Sequence, residues 1–404
     1  MYDDELFVLR NEFLQKAVAF KDKHLIKIIT GVRRCGKSIL MESYRDWLLG
    51  HGVPQNHIIF LNFEDYENKP LRNADALYVY VKERIAPEGK TYLFFDEIQR
   101  VENFPDVVDG LYIKKNIDLY LTGSNSELLS SEIATLLSGR YVEIKMLPLS
   151  LREFVQATKS EGNLQKAYQQ YVETSSFPYA LNLLSQPKEL RDYLEGVFNT
   201  IIVKDITQRR KILDTMMLES VTRFVFDTIG LELSTKKIAD TMTTNGRKSD
   251  PKTVESYLSA LKESFIIYQA NRYNVKGKEF LKTQEKYYAV DMGLRTLLLG
   301  KRAMDVGHIL ENIIYLELIR RGFDVYVGKV DDKEIDFVAM NDNGNTYIQV
   351  AASLRDPVTL ERELKPLKMV RDNYPKLLLS LDEDPEGDYD GIRRMNALQW
   401  LMAS

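Results

Sequence analysis

A single cysteine, Cys35, occurs in 404 residues, which rules out an intramolecular disulfide framework and suits a reducing compartment. Histidine is almost as scarce: His24, His51, His57 and His308 show no zinc-ligand spacing. No apolar run reaches the roughly 20 residues of a membrane span, and the opening MYDDELFVLR is acidic and carries no signal-peptide core. The expectation is a cytoplasmic chain that touches no membrane. Excess charge is also missing. A net charge of −4 gives no overall pull toward nucleic acid, so any such contact needs a local basic patch. Apolar residues at 44% and charged residues at 28% match an ordinary soluble protein, long enough for roughly two to four domains.

What is present is GVRRCGKS at residues 31–38. An apolar run with Leu25, Ile26, Ile28 and Ile29 precedes it and reads as a buried strand; Ile39, Leu40, Tyr44 and Leu48 follow at helical spacing. Strand, glycine loop and helix are the context in which GxxxxGK(S/T) cradles phosphate. Gly31 and Gly36 let the backbone curl so that the N–H groups of Val32, Arg33, Arg34, Cys35 and their neighbours face one concavity. The positive end of the helix dipole adds to the attraction. Lys37 reaches toward the β- and γ-phosphates of a nucleoside triphosphate, and the Ser38 hydroxyl is placed to ligate Mg²⁺. The competing possibility is an ordinary glycine turn capping a helix. Because Cys35 lies inside this loop, alkylation there is expected to block nucleotide binding.

Residues 57–63 read as a second strand and 74–85 as a helix. In TYLFFDEIQ, residues 91–99, four apolar positions bury a strand and deliver Asp96 and Glu97 to its carboxyl end, where open α/β sheets hold ligands. In such a pair the first acid organises Mg²⁺, and the second acts on the attacking water as general base. Residues 117–121 form a further strand that ends in polar Thr122, Gly123, Ser124 and Asn125. Ser124 is a candidate γ-phosphate sensor; alternatively Ser124 or Ser126 only caps the next, Leu/Ser-rich helix. Arg140, just before a strand at 141–146, is either an arginine that completes a neighbouring subunit's site or one half of a surface ion pair.

GVRRCGKS, LNFEDYE, YLFFDEIQ, LTGSNSELL and LLSGRYVEIKMLPLSLREF, followed by SSFPYAL, IIVKDI, KYYAVDMGLR, LENIIYLEL, EIDFV and YIQVAASL, resemble the AAA+-type P-loop ATPases of bacteria and archaea that carry an uncharacterised C-terminal domain. The resemblance covers nearly the whole chain. It implies an α/β P-loop ATPase domain with a parallel sheet over residues 1–150, a helical extension over 151–212, a winged-helix domain over 213–283 and a restriction-endonuclease-like α/β domain over 284–404. It also implies that Asn62, at the end of the second strand, restrains the catalytic Glu97. One departure stands out: Ser175-Ser176 precede Phe177-Pro178 where such proteins read Gly-Gly, and serine resists positive φ.

The helix at 189–207 is the clearest of the extension. Helices at 234–242 and 250–263 flank a loop through Arg247 and Lys248, and the second would enter a DNA major groove. Lys236, Lys237, Arg247, Lys248 and Lys252 give a basic patch, although Glu255 and Glu263 share the face and such modules also serve as protein contacts. The last module resembles a PD-(D/E)XK nuclease core, in which Glu311 and Asp336 fit the metal-binding acids. Gln349 replaces the third acid and Ala351 the lysine, so nuclease activity is not expected. The combined reading is a Mg²⁺-dependent ATPase acting as a nucleotide-driven switch on DNA or a protein partner, or within a homo-oligomer. Its alternative is an ATP-gated binding protein that does not hydrolyse, and more remotely a DNA-processing nuclease.

Overall fold

The computed structural model describes residues 8, 10–124, 139–207, 210, 212–301 and 305–403. The Leu/Ser-rich helix expected beyond Ser124, with Ser126, lies outside the described residues. Two units form, Phe7–Pro148 and a second built from Leu149–Lys262 and Ile266–Ser404.

In the first unit α1 (Asn11–Ala19) is followed by Asp22 at φ 60°, which turns the chain into β1 (Ile26–Thr30). Helix α2 (Lys37–Gly50), β2 (Ile58–Asn62), α3 (Ala74–Lys82), β3 (Thr91–Asp96), α4 (Phe104–Tyr112), β4 (Ile117–Gly123) and β5 (Tyr141–Lys145) follow. Every residue of β1, β3 and β4 is buried, as continuous apolar runs demand in a sheet covered on both faces. The five strands are parallel in the order β2-β3-β4-β1-β5. Leu93 and Leu119 pack with Leu77 and Val81 of α3 and with Val107, Val108 and Leu111 of α4, each contributing ~1.5–3 kcal/mol by its burial. Thr30 lies opposite Gly123 and Asn62 opposite Asp96. The carboxyl ends of β1, β3 and β4 therefore share one edge, where such sheets take ligands.

The second unit opens with α5 (Leu151–Thr158), whose Ser150 and Glu153 form a capping box worth ~1 kcal/mol. Helices α6 (Leu164–Glu173) and α7 (Pro187–Thr200) follow. The run expected as a single helix to Thr207 widens into a π-helical segment, Ile201–Thr207, where three β-branched residues in succession crowd an α-helical turn. Next come α8 (Thr215–Asp227), β6 (Glu232–Leu233), α9 (Thr235–Thr244), α10 (Pro251–Glu263) and a hairpin of β7 (Ile267–Asn274) with β8 (Glu279–Ala289). Helices α11 (Met292–Leu299), α12 (Val306–Arg320) and α13 (Pro357–Met369) accompany β9 (Asp324–Val330), β10 (Lys333–Asn341), β11 (Gly344–Ala351), β12 (Lys376–Ser380), β13 (Gly387–Tyr389) and β14 (Ile392–Asn396).

Two expectations are corrected here. The division between residues 283 and 284 falls inside β8, and β7 pairs in parallel with β9. One nine-stranded sheet, β13-β14-β12-β11-β10-β9-β7-β8-β6, spans both segments. The serines at 175 and 176 also need no left-handed backbone, since neither has positive φ. Their hydroxyls and the Ser176 N–H donate to Asp291 Oδ2 at 3.1, 2.6 and 2.6 Å. The other oxygen of Asp291 caps α11 by accepting from Leu294 N at 2.8 Å.

Candidate active site

The loop between β1 and α2 holds a shape that only its glycines permit. Gly31 sits at φ 146°, and a Cβ there would come within 2.1 Å of the Met146 carbonyl oxygen. Gly36, at φ 104°, is the N-cap of α2 and supplies no side chain to cap it, so the first N–H groups of α2 keep their capacity for an anion. Val32 and Cys35 anchor the loop inward, both fully buried. Arg10, not singled out in the sequence, donates to Cys35 O at 3.1 Å and to Leu147 O at 2.8 Å, tying the loop to the chain beyond β5. Lys37 Nζ donates to Gly31 O at 2.9 Å and Val32 O at 3.2 Å, which holds the ammonium over the concavity.

Cys35 is fully buried beneath the loop, so alkylation there requires the loop to open first. Its Sγ points to Met146 O at 3.6 Å, and burial pushes the thiol's pKa up. The thiolate, the reactive form, is therefore disfavoured.

The acids come to the same edge. Asp96 is buried, and its carboxylate accepts from the Thr122 hydroxyl. Thr122 Oγ1 in turn accepts from Glu97 N at 2.9 Å, so one β4 side chain fixes both acids. Thr122 stood in the polar strand end noted above, but its hydroxyl's double role depends on strand register and could not be read from sequence. Glu97 adopts φ 54°, an uncommon conformation for a non-glycine residue. Burial raises its pKa, against the pull of the Lys37 and Arg33 cations.

Asn62 does not hold Glu97 in this structure: its Oδ1 accepts from Glu64 N at 2.8 Å, while Gln99 Nε2 donates to Glu97 Oε2. Gln99 lies two residues along the same turn. Arg33 and Arg100 both donate to Glu64 Oε1, at 3.3 and 2.8 Å. Burial alone would raise the Glu64 pKa, but these two guanidiniums bring it below the usual value. Ser124 Oγ is buried without a hydrogen-bond partner, an orphaned polar group at the end of β4. Arg34 is exposed at φ 69°.

Arg140 sits elsewhere. It precedes β5, whose Tyr141 pairs with Ile26 at the start of β1, so it lies at the edge of the sheet opposite the loop. There Arg140 Nη1 donates to Asp109 at 2.6 Å. The Ser38 hydroxyl and Asp96 carboxylate are the hard oxygen donors that Mg²⁺ takes, and with Asp96 held still by Thr122 this set fits the ion.

The second unit has its own pocket of about 620 Å³, lined by Glu311, Glu334, Asp336, Gln349 and Glu363 among others. Lys286 of β8, 3% exposed, reaches Glu311 Oε1 at 3.1 Å and Glu334 Oε1 at 2.6 Å. Tyr288 OH also donates to Glu311 Oε1, at 2.7 Å. Burial and the Glu311 charge push the Asp336 pKa well up. Gln349 brings an amide and Ala351 no donor at all, so the residues present do not fit the metal that a nuclease core implies. Among the described residues no group of three or more His, Cys, Asp or Glu could hold a metal ion.

On α9, Lys236 and Lys237 are exposed; Lys248 and Lys252 are exposed as well, and Arg247 is half-buried. Among the described residues no helix is long and apolar enough to cross a membrane.

The sheet order, the glycine loop and the paired acids define the class: residues 23–155 match the AAA domain family, and the first unit is an AAA-type P-loop ATPase domain. Residues 165–305 match a domain of unknown function, DUF8612. The solved structure of a Walker-type ATPase from Pyrococcus abyssi superposes with TM-score 0.51 at 15% identity, covering 72% of this chain and 96% of that one, a likeness of fold. An uncharacterised protein of Haemophilus influenzae is 38% identical over 399 residues, 98% of each chain. One from Methanocaldococcus jannaschii is 30% identical over 363 residues, 84% of this chain and 77% of that one. The chain belongs to the same family as these two proteins.

Proposed function

We propose that the chain hydrolyses ATP with Mg²⁺ and uses the cycle to switch its grip on a partner. The observation that carries the reading is that an uncapped helix start, Lys37, Asp96 and Glu97 meet at one sheet edge. The N–H groups from Val32 to Ser38 and the Lys37 ammonium bind the phosphates. Ser38 and Asp96 would hold Mg²⁺, which would supply positive charge to offset that of the transferring phosphoryl group. Glu97 Oε2 takes a proton from the attacking water once Gln99 releases it. Ser124 Oγ supplies the unpaired hydroxyl at the γ-phosphate side. Arg140 acts in trans on a neighbouring copy after leaving Asp109, and Asn62 serves as a second restraint on Glu97 when nucleotide is bound.

ATP turnover is the test. Glu97→Gln is expected to slow turnover by about 10²–10⁴-fold, the usual contribution of a general base, while a fluorescent ATP analogue still binds. An unchanged rate rejects the assignment.

A second reading, an ATP-gated binder that turns over little, is favoured by the Gln99 hydrogen bond that occupies Glu97. It predicts wild-type turnover already as low as that of Glu97→Gln. For the partner, α8, β6, α9, α10 and the β7–β8 hairpin follow the order of a winged helix. We assign α10, with Lys236, Lys237, Arg247, Lys248 and Lys252 around it, to DNA or an acidic protein surface. Binding to duplex DNA that steepens at low salt supports the first; binding without salt dependence removes it. The sheet from β9 to β14 with α12 and α13 is read as a restriction-endonuclease-like fold kept for binding or assembly. The cytoplasm is the assigned location.

A further inference from the structure

We propose that Lys286 is the resident cation of the second unit's pocket, its ammonium neutralising the acids that would otherwise gather a divalent metal. Each carboxylate there is already answered from within the chain. Glu311 and Glu334 share the Lys286 ammonium at 3.1 and 2.6 Å, both within ion-pair reach. Asp336 Oδ2 accepts from Val350 N at 2.8 Å. Glu363 accepts from Gln349 Nε2 at 2.7 Å and from the Arg362 guanidinium at 3.0 and 2.7 Å.

Gln349 is the second half of the same device. Its amide donates to Glu363 and accepts from Asp336 N at 3.3 Å. A carboxylate could accept but not donate, and would set two buried negative charges side by side. An amide in place of an acid and an ammonium in place of a metal are thus matched changes. Lys286 comes from β8, before α12 in the chain, and not from the strand that carries Gln349. The pocket gathers acids around a cation of the chain's own and is closed to metal.

Nucleotide-free full-length protein and Mn²⁺ test this, with bound Mn²⁺ counted by electron paramagnetic resonance. Wild type and Asp336→Asn are expected to bind equal amounts. Lys286→Met is expected to gain one Mn²⁺ per chain, lost again in Lys286→Met combined with Glu311→Gln. Should Lys286→Met melt low, saturating Mn²⁺ is expected to raise its melting temperature by roughly 5 °C without moving that of wild type. A wild-type Mn²⁺ that disappears in Asp336→Asn overturns the proposal. So does a Lys286→Met protein that neither gains Mn²⁺ nor is stabilised by it.

Discussion

The two units each bring buried acids and a buried lysine together, yet they leave opposite things unfinished. At the edge of the parallel sheet, Lys37 bonds only to main-chain carbonyls of its own loop in the bonds described, α2 lacks a side-chain cap and Ser124 Oγ has no partner. In the nine-stranded unit Lys286 is locked between Glu311 and Glu334, and Gln349 and Arg362 complete Glu363. Burying polar groups is tolerable only when they are paired or a ligand will pair them. The first arrangement waits for an anion, whereas the second has already supplied its own counter-ion.

The largest effect tests a group between these extremes. Arg140 is paired with Asp109, but its side chain is 45% exposed, so the pair can be exchanged for a phosphate. If it acts in trans, Arg140→Ala lowers turnover by about 10³-fold at protein concentrations where wild-type rate per molecule rises, and that rise disappears. A variant whose rate still climbs with concentration removes Arg140 from the site.

Next, replacing the two lysines by alanine should have opposite consequences. Lys37→Ala is expected to weaken Mg·ATP binding by about 10–100-fold, the loss of one charge-assisted hydrogen bond, with little change in stability. Lys286→Ala is expected to destabilise its unit by about 3–5 kcal/mol, because the buried Glu311 carboxylate loses its cation, with ATP affinity unmoved. Denaturant melts and nucleotide titrations on both variants decide. Similar profiles would break the contrast.

A smaller effect follows from Glu97. Burial raises its pKa above the ordinary carboxylate value of 4.5, so its deprotonated, working form is lost earlier as pH falls. Turnover should therefore decline below neutrality at a higher pH than an exposed carboxylate would allow, and Glu97→Gln should flatten the profile.

Much of the first unit was legible because its signals are local. GVRRCGKS fixes a loop through glycine geometry, and TYLFFDE announces both a doubly covered strand and the acids at its end. Even the sheet edge they share follows from parallel strands ending together. What escaped depends on distance along the chain. Thr122 reaches two acids through strand register, and Arg10 ties a loop that lies beyond β1. Lys286 meets Glu311 across 25 residues, whereas the position two residues after Gln349 holds Ala351. The resemblance points to Asn62 on the next strand as the restraint on Glu97, whereas the bond that Glu97 makes here comes from Gln99 within its own turn. The serines before Phe177 showed the reverse error: a backbone difficulty was expected where a buried carboxylate, Asp291, had made hydroxyls useful.

The sulfur of Cys35 makes the molecule its own clock. Because the thiol is fully buried beneath the loop and held protonated, a labelling reagent can react only in the fraction of time that this region opens. Modification kinetics then measure the opening of the nucleotide unit alone, with no competing signal from any other sulfhydryl in the chain. Saturating Mg·ATP should slow that clock about 100-fold at 100 times its Kd. A labelling rate indifferent to nucleotide would mean that the loop opens without releasing its ligand.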